Sequence, residues 1–177
     1  KPTHGVTLTS CLLRPKARGT VRLRSAGPAD KPPAGCNFFG DPDDLRLSLA
    51  SLKVARELLA TEPFASKLAE ELLPGADLRD DEALTRFAGQ TVKTNYHPVG
   101  AAKMGRDDDP MAVVDPALRL RGIDGLRVID CSVMPAIPSR PWSAMTMSII
   151  VVPWAYERRP PRWPIGNCSL MASKLNR

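Results

Sequence analysis

The sequence predicts an α+β fold in which a mainly antiparallel sheet is covered by helices. Residues 6–13 and 20–25 alternate between apolar and polar side chains, which is the two-residue period of a half-buried strand. After residue 41, leucines and alanines recur at the spacing of a helix face. The 177 residues include 18 prolines and 12 glycines, which favour a turn-rich domain over a helical bundle.

The two N-terminal strands are expected to form a hairpin. The segment between them, residues 14–19, reads Arg-Pro-Lys-Ala-Arg-Gly and has the composition of a turn. An antiparallel pair of this kind commonly turns its apolar face to a core and its polar face to water. Arg22 and Arg24 would then lie on the solvated face.

Three helices are predicted in the next part of the chain. Asp41 suits the N-cap of the first helix, and Pro42 suits its first turn. Residues 64–73 and 80–87 are predicted as the second and third helices, and Asp80 is the expected cap of the third. The apolar face predicted for the first helix comprises Leu45, Leu49, Leu52, Ala55 and Leu59.

Composition and charge describe a globular protein without a nucleic-acid partner. The chain is 43% apolar and 25% charged, with a net charge of +6. A nucleic-acid surface combines a basic stripe with exposed aromatic side chains. Aromatic residues make up only 5% of this chain, and its N-terminal arginines alternate with apolar residues. The basic charge is compatible with the anionic groups of a cofactor or another partner.

Cysteine, histidine and acidic residues show no metal-binding pattern. None of the four cysteines belongs to a Cys-x-x-Cys motif, and the two histidines lie far apart. The acidic segment 107–110 lacks the alternating ligands and the glutamate of a calcium loop. We therefore expect no metal site, and reduced cysteines in a cytoplasmic protein. We also expect no signal peptide and no transmembrane segment, because the longest apolar run, residues 144–154, is too short.

A histidine on a stiff segment is the first candidate for catalysis. His97 is followed by Pro98, which favours an extended conformation for the residue before it. Gly100 and Gly105 permit close approach of the backbone to another part of the molecule. A histidine held in this way can accept a proton near neutral pH. A role in packing or hydrogen bonding alone is the alternative.

A second candidate is the carboxylate that ends an apolar segment. Residues 126–130 read Leu-Arg-Val-Ile-Asp and are predicted to form a strand that is buried on both faces. Asp130 lies at the carboxyl end of this strand. Ligands bind at that edge in open α/β sheets.

Eight segments of the chain share a resemblance to one family. They are Leu13–Lys16, Arg18–Leu23, Asp41–Leu45, Tyr96–Gly100, Lys103–Gly105, Val113–Pro116, Leu118–Leu120 and Gly122–Pro135. In this order, over roughly residues 5–139, they resemble the C-terminal region of the glucose–methanol–choline (GMC) oxidoreductases. The choline dehydrogenase-like branch of the family is the most similar.

The resemblance implies a flavoenzyme that oxidises a small-molecule alcohol with FAD as cofactor. His97 matches the family's histidine, which takes the hydroxyl proton of the substrate while a hydride passes to the flavin. Asp130 and Cys131 match the point where the family's chain touches the cofactor, and Ala144 and Met145 are assigned to the cofactor as well.

The resemblance also implies a division of the chain. Residues 1–125 would form the substrate-binding domain, and residues 126–150 would form a return segment toward an FAD-binding α/β domain. That domain is largely absent, because no Gly-x-Gly-x-x-Gly motif follows a strand in this chain. Residues 151–177, which are rich in proline, are expected to form an irregular tail.

The chain departs from the family's pattern after Ser139. Ser143 stands where the family has its second catalytic side chain, an asparagine or a histidine, and serine is shorter than both. The alternative to an enzyme is therefore a truncated, catalytically silent GMC-like fragment or a non-enzymatic binding module. The sequence decides neither the substrate nor the choice between an oxidase and a dehydrogenase.

Overall fold

The structure, a computed structural model, describes residues 4–138, 145–153 and 169–173. Its elements in chain order are β1 (His4–Leu12), β2 (Thr20–Val21), β3 (Ala34–Gly35), α1 (Pro42–Leu59), β4 (Glu70–Leu73), α2 (Asp81–Thr91), a 3-10 turn (Cys131–Val133), β5 (Met145–Pro153) and β6 (Ser169–Ser173). The chain divides into two compact units. Unit 1 comprises Lys1–Ala17, Phe38–Asn95 and Ala144–Arg177, and unit 2 comprises Arg18–Asn37 and Tyr96–Ser143.

Unit 1 is built on a four-stranded antiparallel sheet with the strand order β4-β6-β1-β5. Strand β1 lies between two partners, with Leu8 opposite Ile149 of β5 and opposite Leu170 of β6. Val6, Leu8 and Ser10 are buried, whereas the residues between them are half-buried. The prediction of a strand with one inner face is therefore confirmed, as is the small antiparallel sheet of an α+β fold.

Helix α1 begins as its sequence predicts. The Asp41 side chain accepts a hydrogen bond from the Asp43 backbone N–H at 2.9 Å, and Pro42 occupies the first turn. Helix α2 begins in the same way, because Asp80 Oδ1 accepts from the Ala83 N–H at 2.8 Å. The N-terminal caps of both helices are thus confirmed, and α2 continues to Thr91, four residues beyond the predicted end.

The core of unit 1 lies between the sheet and the two helices. One buried cluster joins Leu8 of β1 to three residues of α1 and to Leu84 of α2. The contribution of α1 to the cluster comprises Leu52, Ala55 and Leu59, with Leu49 partly buried beside them. The leucine spacing that predicted an apolar helix face therefore identified the face that forms the core.

The prediction of a second helix over residues 64–73 is wrong. Phe64 and Leu68 take part in a hydrogen-bonded turn, but the chain then becomes strand β4 and pairs with β6. The guanidinium of Arg56 on α1 binds both carboxylate oxygens of Glu71 at 2.8–3.2 Å, and the Gly75 N–H donates to the same carboxylate at 3.2 Å. Pairing with a strand distant in sequence and this half-buried ion pair outweigh the local helical pattern.

The predicted N-terminal hairpin is also wrong. Strand β1 pairs with β5 and β6, while the short strand β2 pairs with β3. The segment between the expected strands is held by α1 instead, since the Asp44 carboxylate accepts from the N–H groups of Lys16 at 2.9 Å and Ala17 at 2.8 Å. Asp44 is only 2% exposed, so these bonds fix the direction in which the chain leaves β1.

The C-terminal part contains more regular structure than the sequence predicted. Residues 151–177 were expected to be an irregular tail, but β5 extends to Pro153 and β6 occupies Ser169–Ser173. Strand β5 is rich in β-branched and other apolar residues, which favour a strand where a partner is available. The rest of the predicted tail lies outside the described residues.

Unit 2 contains little regular structure in its described part. Its segments are joined by isolated bridges, in which Val114 pairs with both Met104 and Leu120, and Arg119 pairs with Arg127. Val114 is fully buried at the centre of this arrangement. The Arg121 guanidinium adds bonds to Asp107 Oδ1 at 2.8 Å and to the Gly105 carbonyl at 2.9 Å. Loops connected through few backbone pairs thus make up most of unit 2.

The doubly buried strand predicted over residues 126–130 is not observed. The segment has one bridge, at Arg127, and Leu126 and Ile129 are 48% and 78% exposed. A strand buried on both faces needs neighbouring strands on both edges and covering layers, whereas the bridge pairs this segment only with residues 118–120 on one edge in the described structure. The return strand of a flavin domain is therefore not part of the described structure.

None of the described helices is both long enough and apolar enough to cross a membrane.

An ion pair between Lys103 and Asp109 closes a loop in unit 2. The Lys103 ammonium lies 2.6 Å from Asp109 Oδ2, and both side chains are about one-third or less exposed, at 31% and 26%. Asp109 Oδ1 also accepts from the Met111 N–H at 2.9 Å. Hydrogen bonding from Lys103, followed by that from Met111, lowers the pKa of Asp109 from its ordinary value.

The α1 core face provides a matched test of the fold. Leu52 is fully buried, whereas Leu58 on the same helix is 38% exposed. Leu52→Ala should lower the free energy of unfolding by about 2–5 kcal/mol, because it removes buried methyl groups and leaves a cavity. Leu58→Ala should have a much smaller effect. Denaturant titration followed by circular dichroism measures both, and equal losses would contradict the assigned core.

The Asp109 carboxylate should make its loop sensitive to acid. Its pKa is lowered in the folded state, so its stabilising effect is complete at neutral pH and is lost as the pH falls below about 4 through the folded pKa. The protection of the Met111 amide against hydrogen exchange, relative to its intrinsic exchange rate at each pH, should fall over that range, and Asp109→Asn should weaken this pH dependence. Asp108→Asn is the control, because Asp108 is 76% exposed. An unaltered pH dependence in Asp109→Asn would refute this role.

Candidate active site

His97 lies on an exposed loop of unit 2 whose backbone is constrained on both sides. We call residues 96–105 the His97 loop. Tyr96 has a φ angle of +62°, which is rare for a residue with a side chain and is often found at functional sites. The Pro98 ring restricts the backbone on the other side of His97. His97 itself is exposed, so a ligand can approach its ring.

The two glycines of the His97 loop are required by its conformation. Gly100 has a φ angle of +83°, and a Cβ atom added there would lie 3.6 Å from the Met134 carbonyl oxygen. A Cβ atom on Gly105 would lie 2.7 Å from Asp109 Oδ2 and 2.8 Å from the Ala112 Cβ. The prediction of close approach is therefore confirmed at Gly105, whereas Gly100 is favoured by its positive φ angle.

The structure brings the His97 loop to the segment that contains Asp130. The N–H groups of Ala102 and Met104 donate to the carbonyls of Ser132 at 3.1 Å and Val133 at 2.8 Å. Asp130 caps the 3-10 turn that carries these carbonyls, because its Oδ1 accepts from the Ser132 N–H at 2.7 Å. Two segments that sequence reasoning identified separately are therefore hydrogen-bonded neighbours in one unit.

Asp130 presents an ionised carboxylate to solvent. Hydrogen bonding from Ser132 lowers the pKa of Asp130 from its ordinary value, so the group carries its charge at neutral pH. The side chain is exposed, as is the neighbouring Cys131. An exposed carboxylate can accept hydrogen bonds from hydroxyl groups of a ligand, in addition to capping the turn.

The described structure does not test the other predicted site residues. Ser143 and Ala144 lie outside the described residues. Met145 begins strand β5 in unit 1, where its backbone pairs with that of Leu12. The predicted roles of Ser143, Ala144 and Met145 therefore remain predictions.

Other parts of the described chain offer less specific chemistry. A cleft of about 240 Å³ in unit 2 is lined mainly by charged residues, and none of the predicted site residues that the structure describes contributes to it. The cleft residues Arg119 and Arg121 form ion pairs with Asp115 and Asp107, so their charges are largely compensated. Among the residues that the structure describes, no three histidine, cysteine or acidic side chains are grouped to hold a metal ion.

Sequence reasoning missed two contacts, one next to the His97 loop and one in the Asp130 segment. Asn95 Nδ2 donates to Cys11 Sγ at 3.6 Å, and burial of Cys11 raises the pKa of its thiol, partly offset by this bond. No local pattern predicts this pair, because its members are distant in sequence. The Asp130–Ser132 bond could have been predicted, since an aspartate two residues before its donor is typical of an Asx-turn.

Comparison with known proteins and with family models gives a consistent result. A family model described as GMC oxidoreductase matches residues 15–149. Choline oxidase of Arthrobacter globiformis is 42% identical over 134 residues, which cover 75% of this chain and 24% of that protein. Alcohol dehydrogenase [acceptor] of Pseudomonas putida is 36% identical over 146 residues, or 82% of this chain and 26% of that protein. The chain thus spans about a quarter of the length of these relatives.

The fold agrees with these sequence relationships. The structure of an FAD-dependent oxidoreductase from Chaetomium thermophilum superposes with a TM-score of 0.63 at 28% identity. The superposition covers 71% of this chain and 22% of that one. Since the family model matches most of the chain and its relatives exceed 30% identity, the chain belongs to the GMC oxidoreductase family and corresponds to its C-terminal domain.

Proposed function

We propose that this chain is the substrate-binding part of an FAD-dependent oxidoreductase that acts on the CH–OH group of an alcohol. The observation that carries the proposal is the position of His97. It is exposed on a loop with constrained backbone, and that loop is hydrogen-bonded to the turn capped by Asp130. The names of the two relatives above, an alcohol dehydrogenase and a choline oxidase, support an alcohol as the substrate class.

His97 is proposed as the proton acceptor. A neutral imidazole has one nitrogen with a free lone pair, which can take the hydroxyl proton as the alcohol becomes a carbonyl compound. When bound, FAD supplies the acceptor for the hydride that leaves the alcohol carbon. The exposed ring lets an alcohol approach His97, and the constrained loop limits the positions that the ring can occupy.

The residues of the Asp130 segment are compatible with a flavin cofactor. The Asp130 carboxylate is exposed and ionised, and it can accept hydrogen bonds from the hydroxyl groups of FAD. Cys131 is exposed beside it and is proposed to contact the cofactor as well. Ser143 is proposed at the second catalytic position, with Ala144 and Met145 near the cofactor, on the basis of the sequence pattern alone.

The exposed apolar residues of this segment support the proposal that this chain is one part of a larger enzyme. Ile129, at 78% exposure, lies in the stretch that the family pattern assigns to a strand of the FAD-binding domain. The chain also covers only 24–26% of its relatives. We propose that the flavin-binding part is supplied by sequence that corresponds to the other three-quarters of those proteins. A catalytically silent fragment is the second candidate, and it is favoured by the same coverage.

Flavin binding separates these two functions. The protein is expressed from its complete reading frame, and its flavin absorbance is recorded with and without added FAD. We expect a flavin-binding protein whose absorbance bleaches when an alcohol such as choline is added without oxygen. A colourless protein that takes up no FAD would support the silent fragment and contradict the enzyme.

A substitution of His97 tests the proton acceptor. In a protein that binds FAD, His97→Gln should lower the rate of alcohol-dependent flavin reduction by about 10²-fold, because glutamine can form hydrogen bonds but cannot act as a base near neutral pH. His4→Gln is the control, since the chain has only two histidines and His4 lies on β1 in unit 1. An unchanged rate in His97→Gln would exclude His97 as the base.

A further inference from the structure

The His97 loop is attached to unit 2 along its C-terminal half. Residues 102–105 lie between two segments, with the 3-10 turn on one side and residues 113–114 on the other. On the second side, the Lys103 carbonyl accepts from the N–H groups of Val113 at 2.8 Å and Val114 at 3.2 Å. On the first side, the Ala102 and Met104 amides are the donors. The 3-10 turn is therefore one of the two supports of this part of the loop.

The support on the first side depends on a turn of only three residues. A 3-10 turn this short has few internal hydrogen bonds, so its stability depends on its cap. In this turn the Met134 N–H donates to the Cys131 carbonyl at 3.2 Å, and Asp130 Oδ1 receives the Ser132 N–H at 2.7 Å. The next carbonyls, those of Ser132 and Val133, are the acceptors for the His97 loop.

We propose that Asp130 is a positioning residue for His97, because it holds the turn whose Ser132 and Val133 carbonyls anchor the His97 loop. This inference rests on the proposed function only for the role of His97 in catalysis. It assigns Asp130 a structural task beside the cofactor contact that the family pattern implies. The two tasks are compatible, since Oδ1 caps the turn and the exposed carboxylate has further lone pairs that can accept hydrogen bonds from a ligand.

Two substitutions of Asp130 separate these tasks. Asparagine keeps the carbonyl oxygen that accepts the Ser132 N–H but removes the negative charge, whereas alanine removes both. Asp130→Asn should therefore keep the loop ordered while changing any interaction that needs the charge. Asp130→Ala should loosen the loop. Asp130→Ser should be intermediate, because a serine hydroxyl forms the same type of turn more weakly.

The test measures the loop directly. Amide hydrogen exchange is followed at Ala102 and Met104, and ¹⁵N relaxation gives the order parameter of His97. In Asp130→Ala, exchange at both amides should be about fivefold faster or more, which is the usual effect of losing a cap, and the His97 order parameter should fall. Asp130→Asn should stay within about twofold of the parent protein.

A matched control is present in the same unit. Asp115 Oδ1 accepts from the N–H groups of Ala117 and Arg119, both at 2.9 Å, so it supports a turn of similar chemistry. Asp115→Ala should accelerate exchange at Ala117 and Arg119 and leave the Ala102 amide as in the parent protein. This control separates a specific effect of the Asp130 cap from general loosening of unit 2.

Two outcomes would overturn the proposal. In the first, Asp130→Ala leaves both amide exchange rates and the His97 order parameter unchanged. In the second, Asp130→Asn loosens the loop as much as alanine does, so that charge and not capping is responsible. If Asp130→Ala does not fold, the two other variants still decide the proposal. Amide exchange at Ala102 and Met104 should be faster in Asp130→Ser than in Asp130→Asn. Hydrogen exchange and relaxation do not depend on enzymatic activity. If His97 proved to have no catalytic role, the proposed function would be refuted, but the positioning of the loop by Asp130 would still be tested.

Discussion

Unit 1 depends on the packing of the inner face of β1 against α1. Both edges of β1 are paired, so its backbone hydrogen bonds are satisfied, and one of its faces packs in the core. Leu8 on that face meets Leu52, Ala55 and Leu59 of α1, and burial of this apolar surface is the main favourable term in folding. The buried Asp44 carboxylate on α1 then binds the chain as it leaves the sheet.

Unit 2 is stabilised by a different principle. Its described segments have few ladder hydrogen bonds, so carboxylates bind the backbone N–H groups that regular structure would otherwise pair. Asp109, Asp115 and Asp130 each accept from an N–H group two residues further along the chain. Such turns fix short loops without a large apolar core, and the loop that carries His97 is built on one of them. The geometry of the candidate site therefore follows from local polar bonds more than from hydrophobic burial.

The helix caps and the strand with one inner face were predictable because their signals are local. Asp41, Asp80 and the leucine spacing of α1 act over a few residues, and the structure confirms each. The predicted helix over residues 64–73 failed because its strand partner, β6, lies about a hundred residues further along the chain. The same limitation applies to the hairpin, since β1 finds its partners near the C-terminus.

The sequence by itself determined the family and singled out His97 and Asp130 as candidate site residues, because the motif residues occur in an order that does not require knowledge of the fold. Tertiary structure alone decided that the segments of these two residues are joined, through the Ala102 and Met104 amides and the capped turn. It also decided that Ile129 is exposed in this chain. The physical reason is that hydrogen-bond partners and burial depend on which distant segments of the chain come into contact. A local sequence pattern does not specify those contacts.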